Sequence, residues 1–275
     1  MLREQTIGLL KRYGLEVEAA LDEQQLIDPE VINDLIAASE ITPQDTVLEI
    51  GPGAGNITVE IAKRARKTYA VEKNPKFIPL LNERLVGFNV EIIIGDALAL
   101  YLPRFDVLVS NLPYAMAEAT IGRLKRIHFK TASLLVPLGF ANILTAKPEE
   151  TRYSRLTLEA NLFYNISLIR VVKPSVFTPE PKTETSIIKL KPKKATDKKE
   201  AVIWHLLQQG DKKVANALRE SFISIEGYPS TKREARDLIA KLRLEQLLEK
   251  RVAALSLDEI ELIRSCLDSL KELPN

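Results

Sequence analysis

Apolar residues recur at Val31, Ile32, Leu35 and Ile36 in "DPEVINDLIAASEI", a spacing that places them on one side of a helix. Asp28 as N-cap and Pro29 as the first helical residue mark where that helix starts. Beyond it, short β-rich runs alternate with helical ones. Strands are expected at 46–50, 68–72, 90–95, 105–110 and 131–137, and helices at about 57–66, 75–85, 116–127 and 138–146. Alternation of this kind indicates βαβ units and an α/β fold with a mostly parallel, doubly wound sheet. Two more β-like runs, 160–172 and 184–193, follow with no helix between them, which predicts an antiparallel finish at one edge.

The pattern then changes. "KLKPKKATDKKE" (189–200) has six lysines and one proline, and residues 191–200 read as an exposed linker. Residues 201–275 are almost wholly helical in pattern. The expected organisation is an α/β domain over 1–190, including an N-terminal helical segment 1–40, followed by a small C-terminal α-helical domain.

Composition narrows the setting. With 39 Lys plus Arg against 37 Asp plus Glu the net charge is +2, so any grip on nucleic acid must come from local patches. Candidates for RNA binding are Arg123, Lys125 and Arg126 in "RLKRIHFK", and Lys212 and Lys213 in "DKKVANALRE". The single cysteine, Cys266, reads as a half-buried residue of the last helix and fits a reducing, cytoplasmic compartment. No apolar run approaches the roughly 18 residues of a membrane span, so a soluble protein with no membrane partner, read as a monomer, is expected. His128 and His205 stand far apart without cysteine or carboxylate spacing around them, and no metal site is expected.

Candidate chemistry begins at "TVLEIGPGAGNIT", where Gly51, Gly53 and Gly55 follow the first strand of the sheet and precede a helix. Glycines there let the backbone turn sharply beside a ligand at the carboxyl end of the sheet. A dinucleotide fingerprint needs glycine at position 56, which is Asn56, so the G-x-G-x-G spacing favours a nucleoside ligand without pyrophosphate, as in S-adenosylmethionine-dependent methyltransferases. Glu72 closes the next strand, where a carboxylate can accept both ribose hydroxyls. Asp96 closes the one after, within reach of an adenine amine, and Glu49 is expected near the methionine end. At the next strand end stands Asn111-Leu112-Pro113-Tyr114. A purine amino group is a weak nucleophile because its lone pair is delocalised into the ring. The Asn111 side-chain oxygen and the Leu112 carbonyl can hold its hydrogens, while Pro113 stiffens the turn and Tyr114 stacks on the base.

"NLPY" (111–114) together with "KPSVFTPEPKTETSIIKLKP" (173–192) resembles the ribosomal RNA adenine dimethyltransferases of the KsgA type. The likeness extends through "LIDPEVI" (26–32), "VLEIGPGAGNIT" (47–58), "GDAL" (95–98), "AKPEETRYSRLTL" (146–158) and "LLEKRVAALSLDEI" (247–260). It implies a Rossmann-like class I methyltransferase fold and S-adenosyl-L-methionine as cofactor. The implied reaction is N6,N6-dimethylation of two adjacent adenosines of small-subunit ribosomal RNA in a pre-ribosomal particle. It also adds Leu26, Ala97 and Asn111 to the cofactor set and implies that Phe177 sandwiches the flipped adenine against Tyr114.

Three segments depart from that family. Its usual K-R-L-G-Q-H-F-L-x-D is here "AALDEQQLID", with Ala19 and Ala20 for the basic pair, Asp22 for glycine, Glu23 for glutamine and Gln25 for phenylalanine. "VPLGFANIL" has Pro137, Leu138 and Gly139, with Ile143 in a basic position, and "AMAEA" follows N-L-P-Y in place of a polar stretch. The acidic run around residue 20 repels a phosphate backbone. Two alternatives therefore stay open: a paralogue that methylates another nucleic acid, and an RNA- or ribosome-binding assembly factor with little or no methyl transfer.

Overall fold

The computed structural model describes residues 2–17, 23–194, 197–225, 229 and 231–269. Ala19, Ala20 and Asp22, three of the departures noted above, lie outside the described residues. The chain divides into two compact units, Met1–Lys147 with Tyr164–Pro192, and Pro148–Phe163 with Lys193–Asn275.

The first unit opens with helix α1 (Leu2–Arg12), a short strand β1 (Gln25–Leu26) and helix α2 (Pro29–Ser39). The Asp28 carboxylate accepts from the Glu30 and Val31 amides at 2.9 and 3.2 Å, so α2 starts where its cap and proline dictate. Then come β2 (Thr46–Ile50), α3 (Asn56–Ala62), β3 (Lys67–Glu72), α4 (Ile78–Arg84) and β4 (Val90–Ile94). Strand β5 (Val107–Asn111), α5 (Ala117–Leu124), β6 (Thr131–Pro137) and α6 (Leu138–Leu144) complete the alternating part.

After helix α7 (Arg155–Phe163), which belongs to the second unit, the chain adds β7 (Tyr164–Val172), β8 (Phe177–Thr178) and β9 (Thr185–Pro192) to the first. The seven-stranded sheet runs β4-β3-β2-β5-β6-β9-β7, parallel up to β6, with β9 antiparallel to both of its neighbours. That is the doubly wound sheet with an antiparallel finish. Every residue of β2 and the first four of β5 are buried, as strands covered on both faces must be. Because β3 and β4 lie to one side of β2 while β5 and β6 lie to the other, the strand order reverses between β2 and β5. Open α/β sheets bind ligands at the carboxyl ends flanking such a reversal.

Two expectations need correction. Residues 160–163, read as the beginning of a strand, are the last turn of α7, and the strand begins only at Tyr164. The apolar run serves two elements: the Phe163 ring lies 5.3 Å from that of Trp204 in the second unit, while the Tyr164 hydroxyl donates to the Ile121 carbonyl in the first. Residues 148–163 accordingly group with the C-terminal residues and not with the sheet domain of 1–190. The expected linker over 191–200 is also shorter, since β9 runs to Pro192 and α8 starts at Lys198.

The second unit packs α7 with α8 (Lys198–Leu207), α9 (Val214–Ser224), α10 (Lys232–Lys241) and α11 (Leu257–Ser269). Its core is apolar, with Val202, Leu206, Leu218, Phe222, Ile260 and Ile263 all buried. Helix α10 starts with a reciprocal capping box between Thr231 and Glu234. Arg155 ties α7 to the approach of α11 through the Ala253 and Leu255 carbonyls at 2.7 and 2.6 Å. Cys266 is half-buried on α11 and is a free thiol.

Candidate active site

At the reversal between β2 and β5 the first unit holds a cavity of about 520 Å³, well within the roughly 300–1,000 Å³ of small-molecule sites. Gly51, Gly53 and Gly55 have φ of 69°, 52° and 79°, values that side chains other than glycine resist, and so the loop turns away from β2 and begins α3. Gly51 and Gly53 line the cavity, while Gly55 caps α3 behind it. Leu26, Glu72, Asp96, Ala97, Asn111 and Pro113 also form its walls, each delivered by a strand end or the residue just beyond one. Ile57, Val71, Phe77 and Met116 supply apolar surface.

The polar groups are already organised. Glu72 accepts the Gly53 amide at 3.1 Å and the Asn74 amide at 2.8 Å, one on each oxygen. Burial, with a contribution from the Glu23 charge, nevertheless raises its pKa above the ordinary carboxylate range. Asp96 accepts from the Leu98 amide at 2.8 Å and pairs with Lys73 at 2.9 Å, and these partners hold its pKa low. Asn111 donates its side-chain N–H to the Gln24 carbonyl at 2.9 Å, which leaves Oδ1 as the acceptor facing away from that bond. Leu112 is buried, and its amide hydrogen-bonds to the Leu135 carbonyl at 3.2 Å. Tyr114 is half-buried at the start of a 3₁₀ turn, Tyr114–Met116, beside the cavity wall residue Pro113.

Glu49 lies below the loop and does not reach the cavity wall. It is 1 % exposed, its Oε2 has no hydrogen-bond partner, and desolvation first, opposed by Thr58 and reinforced by Glu72, pushes its pKa up to about 8. A carboxyl whose folded pKa is raised binds a proton in the native state that the unfolded chain has already released. Its stabilisation is complete below pH 4.5 and is lost as pH rises through about 8. Stability should therefore fall across that interval by up to about 1.4 kcal/mol per pH unit, and Glu49→Gln should flatten the decline. Thermal melts of both proteins from pH 5 to 9 test this; parallel profiles would contradict it.

The structure corrects one sequence-based assignment and gives partners to several of the basic candidates. Phe177 is 1 % exposed and belongs to the core with Leu26, Val31 and Ile187, because β8 pairs antiparallel with β1 and sets Phe177 opposite Leu26. Its ring is packing and is not offered to a base. Phe177→Ala is expected to cost about 3–5 kcal/mol of stability, readable by urea denaturation; a loss near zero would return the ring to the surface. Arg123 donates to the Ala97 and Leu100 carbonyls and so buttresses the Asp96 loop. Lys212 and Lys213 pair with Glu220 and Glu249, whereas Lys125 is half-buried and Arg126 exposed. The cavity also holds residues that sequence reasoning passed over as ligands, above all Asn74 and the polar segment Glu23–Gln25. "EKNP" after β3 looks like an ordinary turn, and only its proximity to residue 23 shows otherwise.

Among the described residues no group of three or more His, Cys, Asp or Glu is placed to hold a metal, and no helix is long and apolar enough to cross a membrane.

Glycine loop, two strand-end acids and a strand-end amide around one cavity have a counterpart among known proteins. Residues 16–263 match the family described as ribosomal RNA adenine dimethylase. The chain belongs to that family. Among relatives of the adenine dimethylase are the probable ribosomal RNA small subunit methyltransferases A of Thermococcus onnurineus, 34 % identical over 97 % of this chain and 98 % of that protein, and of Methanosarcina mazei, 34 % identical over 96 % and 97 %. A dimethyladenosine transferase from Plasmodium falciparum superposes with a TM-score of 0.61 at 26 % identity, covering 86 % of this chain and 94 % of its own. The 23S rRNA methyltransferase ErmE shares the fold, with a TM-score of 0.60 at 23 % identity over 89 % and 99 %. The adenine dimethylase family and these structures make the fold that of a class I methyltransferase.

Proposed function

We propose that the chain uses S-adenosyl-L-methionine to dimethylate N6 of two adjacent adenosines in small-subunit ribosomal RNA, acting as a cytoplasmic monomer on a pre-ribosomal particle. The observation that carries the reading is the Asn111 amide, held by Gln24 at the mouth of the same cavity that presents Glu72 and Asp96.

The cavity suits the cofactor. Glu72 supplies carboxylate oxygens for ribose hydroxyls, and Ile57, Val71 and Phe77 supply apolar surface for the purine. Asp96 and Ala97 line the same cavity and would meet the adenine edge. Glu49, buried and outside the cavity wall, is not called on as a ligand. When bound, S-adenosylmethionine supplies an electrophilic methyl group carried on a sulfonium. The chain's own residues do the rest. Asn111 Oδ1 and the Leu112 carbonyl accept the two amine hydrogens and orient the nitrogen lone pair, Pro113 fixes the turn, and Tyr114 provides a stacking face. No strong base is needed, because the amine proton becomes acidic only once the nitrogen carries the new methyl. Two acceptors also serve the second methylation, which needs one hydrogen held and room for the first methyl.

The test is tritium transfer from labelled cofactor into small subunits lacking the modification, followed by mapping of the product. Dimethylation at two neighbouring adenosines is expected; a single methyl or another RNA would replace the reading with that of a divergent paralogue.

A further inference from the structure

The glycine loop is held by side chains that lie outside it. Ala54, wholly buried between Gly53 and Gly55, donates its N–H to Gln25 Oε1 at 2.7 Å and accepts at its carbonyl from Arg84 Nη1 at 2.6 Å. The two peptide groups that flank the Ala54 Cα are thus each gripped from outside the loop. Gln25 is itself anchored, donating Nε2 to the Glu23 carbonyl at 2.7 Å, and Glu23 receives the Asn74 side chain at 3.0 Å. The next residue, Leu26, accepts at its carbonyl from Asn56 Nδ2 at 2.7 Å, and Arg84 Nη1 also donates to Asn56 Oδ1 at 2.7 Å.

Two features show that this is more than a local network. The Gln25 carboxamide occupies the space beside Gly53 that a Cβ would need, so the fit depends on glycine there, and Gln25 lines the ligand cavity. Arg84 is half-buried and makes no ion pair among the described residues; its charge is directed to the Ala54 carbonyl and the Asn56 amide, and burial alone lowers its pKa. A partly desolvated cation without a carboxylate is costly unless its hydrogen bonds do something else.

We propose that Gln25 and Arg84 are positioning residues that clamp Ala54 from both sides, one at its N–H and the other at its carbonyl, fixing the glycine loop in its ligand-receiving shape before the cofactor arrives. The consequence rests on the reading of the cavity as the S-adenosylmethionine site. A loop ordered in advance has no ordering left to lose on binding, so the clamp acts on affinity and not on the chemical step. Phenylalanine, usual at position 25 in the family the sequence resembles, has no atom that could accept the Ala54 N–H. In this chain the polar departure at residue 25 is therefore taken up by the cofactor loop rather than by RNA.

Gln25→Met keeps the length and removes the acceptor, and Arg84→Met removes the donor on the other side. In the cofactor-free full-length protein, amide hydrogen exchange at Ala54 should speed up about tenfold or more in Gln25→Met. In both variants the KM for S-adenosylmethionine should rise about tenfold while kcat at saturating cofactor stays within about twofold, the split expected of lost ground-state positioning. Unchanged Ala54 exchange in Gln25→Met, or faster exchange with an unchanged KM, overturns the clamp. If the wild-type protein binds no cofactor, the functional reading fails separately, and the exchange measurement still reports on the grip itself. Should Gln25→Met not fold, a KM in Arg84→Met equal to wild type overturns the proposal.

Discussion

Asn111→Ala is expected to lower methyl transfer by about 10²–10³-fold while leaving affinity for S-adenosylmethionine within a few-fold of wild type, an effect of the size seen when one preorganised hydrogen-bond partner is lost at a reacting centre. The asymmetry follows from where the amide stands. It lies at the carboxyl end of β5, and its N–H₂ is spent on the Gln24 carbonyl, so Oδ1 is presented as an acceptor without any rearrangement. As the adenine nitrogen attacks, positive charge grows on its hydrogens and the bond to Oδ1 strengthens, which is what makes the residue matter more for kcat than for binding. Single-turnover transfer and calorimetry on the same preparation separate the two quantities. Transfer at the wild-type rate would remove the amide from the mechanism, and a parallel collapse of binding would recast Asn111 as a cofactor ligand.

Glu72→Ala is expected to weaken S-adenosylmethionine binding by about 10–100-fold, since hydrogen bonds to a charged group are each worth about 1.5–3 kcal/mol. Two losses combine. The ribose hydroxyls lose their acceptor, and the Gly53 and Asn74 amides, now satisfied at 3.1 and 2.8 Å, are left without one. Glu72→Gln should fall between wild type and alanine, because one side-chain oxygen remains to accept. Calorimetric titration with cofactor measures all three proteins; equal affinities would move the ribose elsewhere in the cavity. A cofactor analogue lacking the ribose hydroxyls should discriminate less between wild type and Glu72→Ala, and the difference that remains measures the loss of the Gly53 and Asn74 bonds.

The parts of the site that were legible in the chain are those governed by local rules. Gly51, Gly53 and Gly55 follow a fully buried strand, and positive φ at all three is a demand only glycine meets cheaply. Glu72, Asp96 and Asn111 stand at or just past the ends of successive strands, and a doubly wound parallel sheet turns successive strand ends toward one edge. The helix start at Asp28–Pro29 and the strand Thr46–Ile50 were legible for the same reason, each being decided by a few adjacent residues.

What stayed hidden depends on partners far away in sequence. Phe177 in a proline-rich loop reads equally well as a stacking ring and as core, and pairing with Leu26, some 150 residues earlier, decides for the core. Arg123 is one cation in a basic run until the fold brings the Ala97 and Leu100 carbonyls to it. Residues 160–163 have strand-like composition, yet helical packing of Phe163 on Trp204 claims them.

The chain alone determined a doubly wound α/β sheet, a glycine loop after its first strand, the strand-end acids and amide, and the resemblance to adenine dimethylases, because periodicity, glycine conformation and strand ends are properties of neighbouring residues. Only the tertiary structure decided that Glu49 is sealed beneath the loop, that Phe177 is core, and that Gln25 and Arg84 meet at Ala54. Each of those outcomes depends on which distant surface fills the space around a side chain, and burial, with the hydrogen bonds it demands, is a property of the assembled fold.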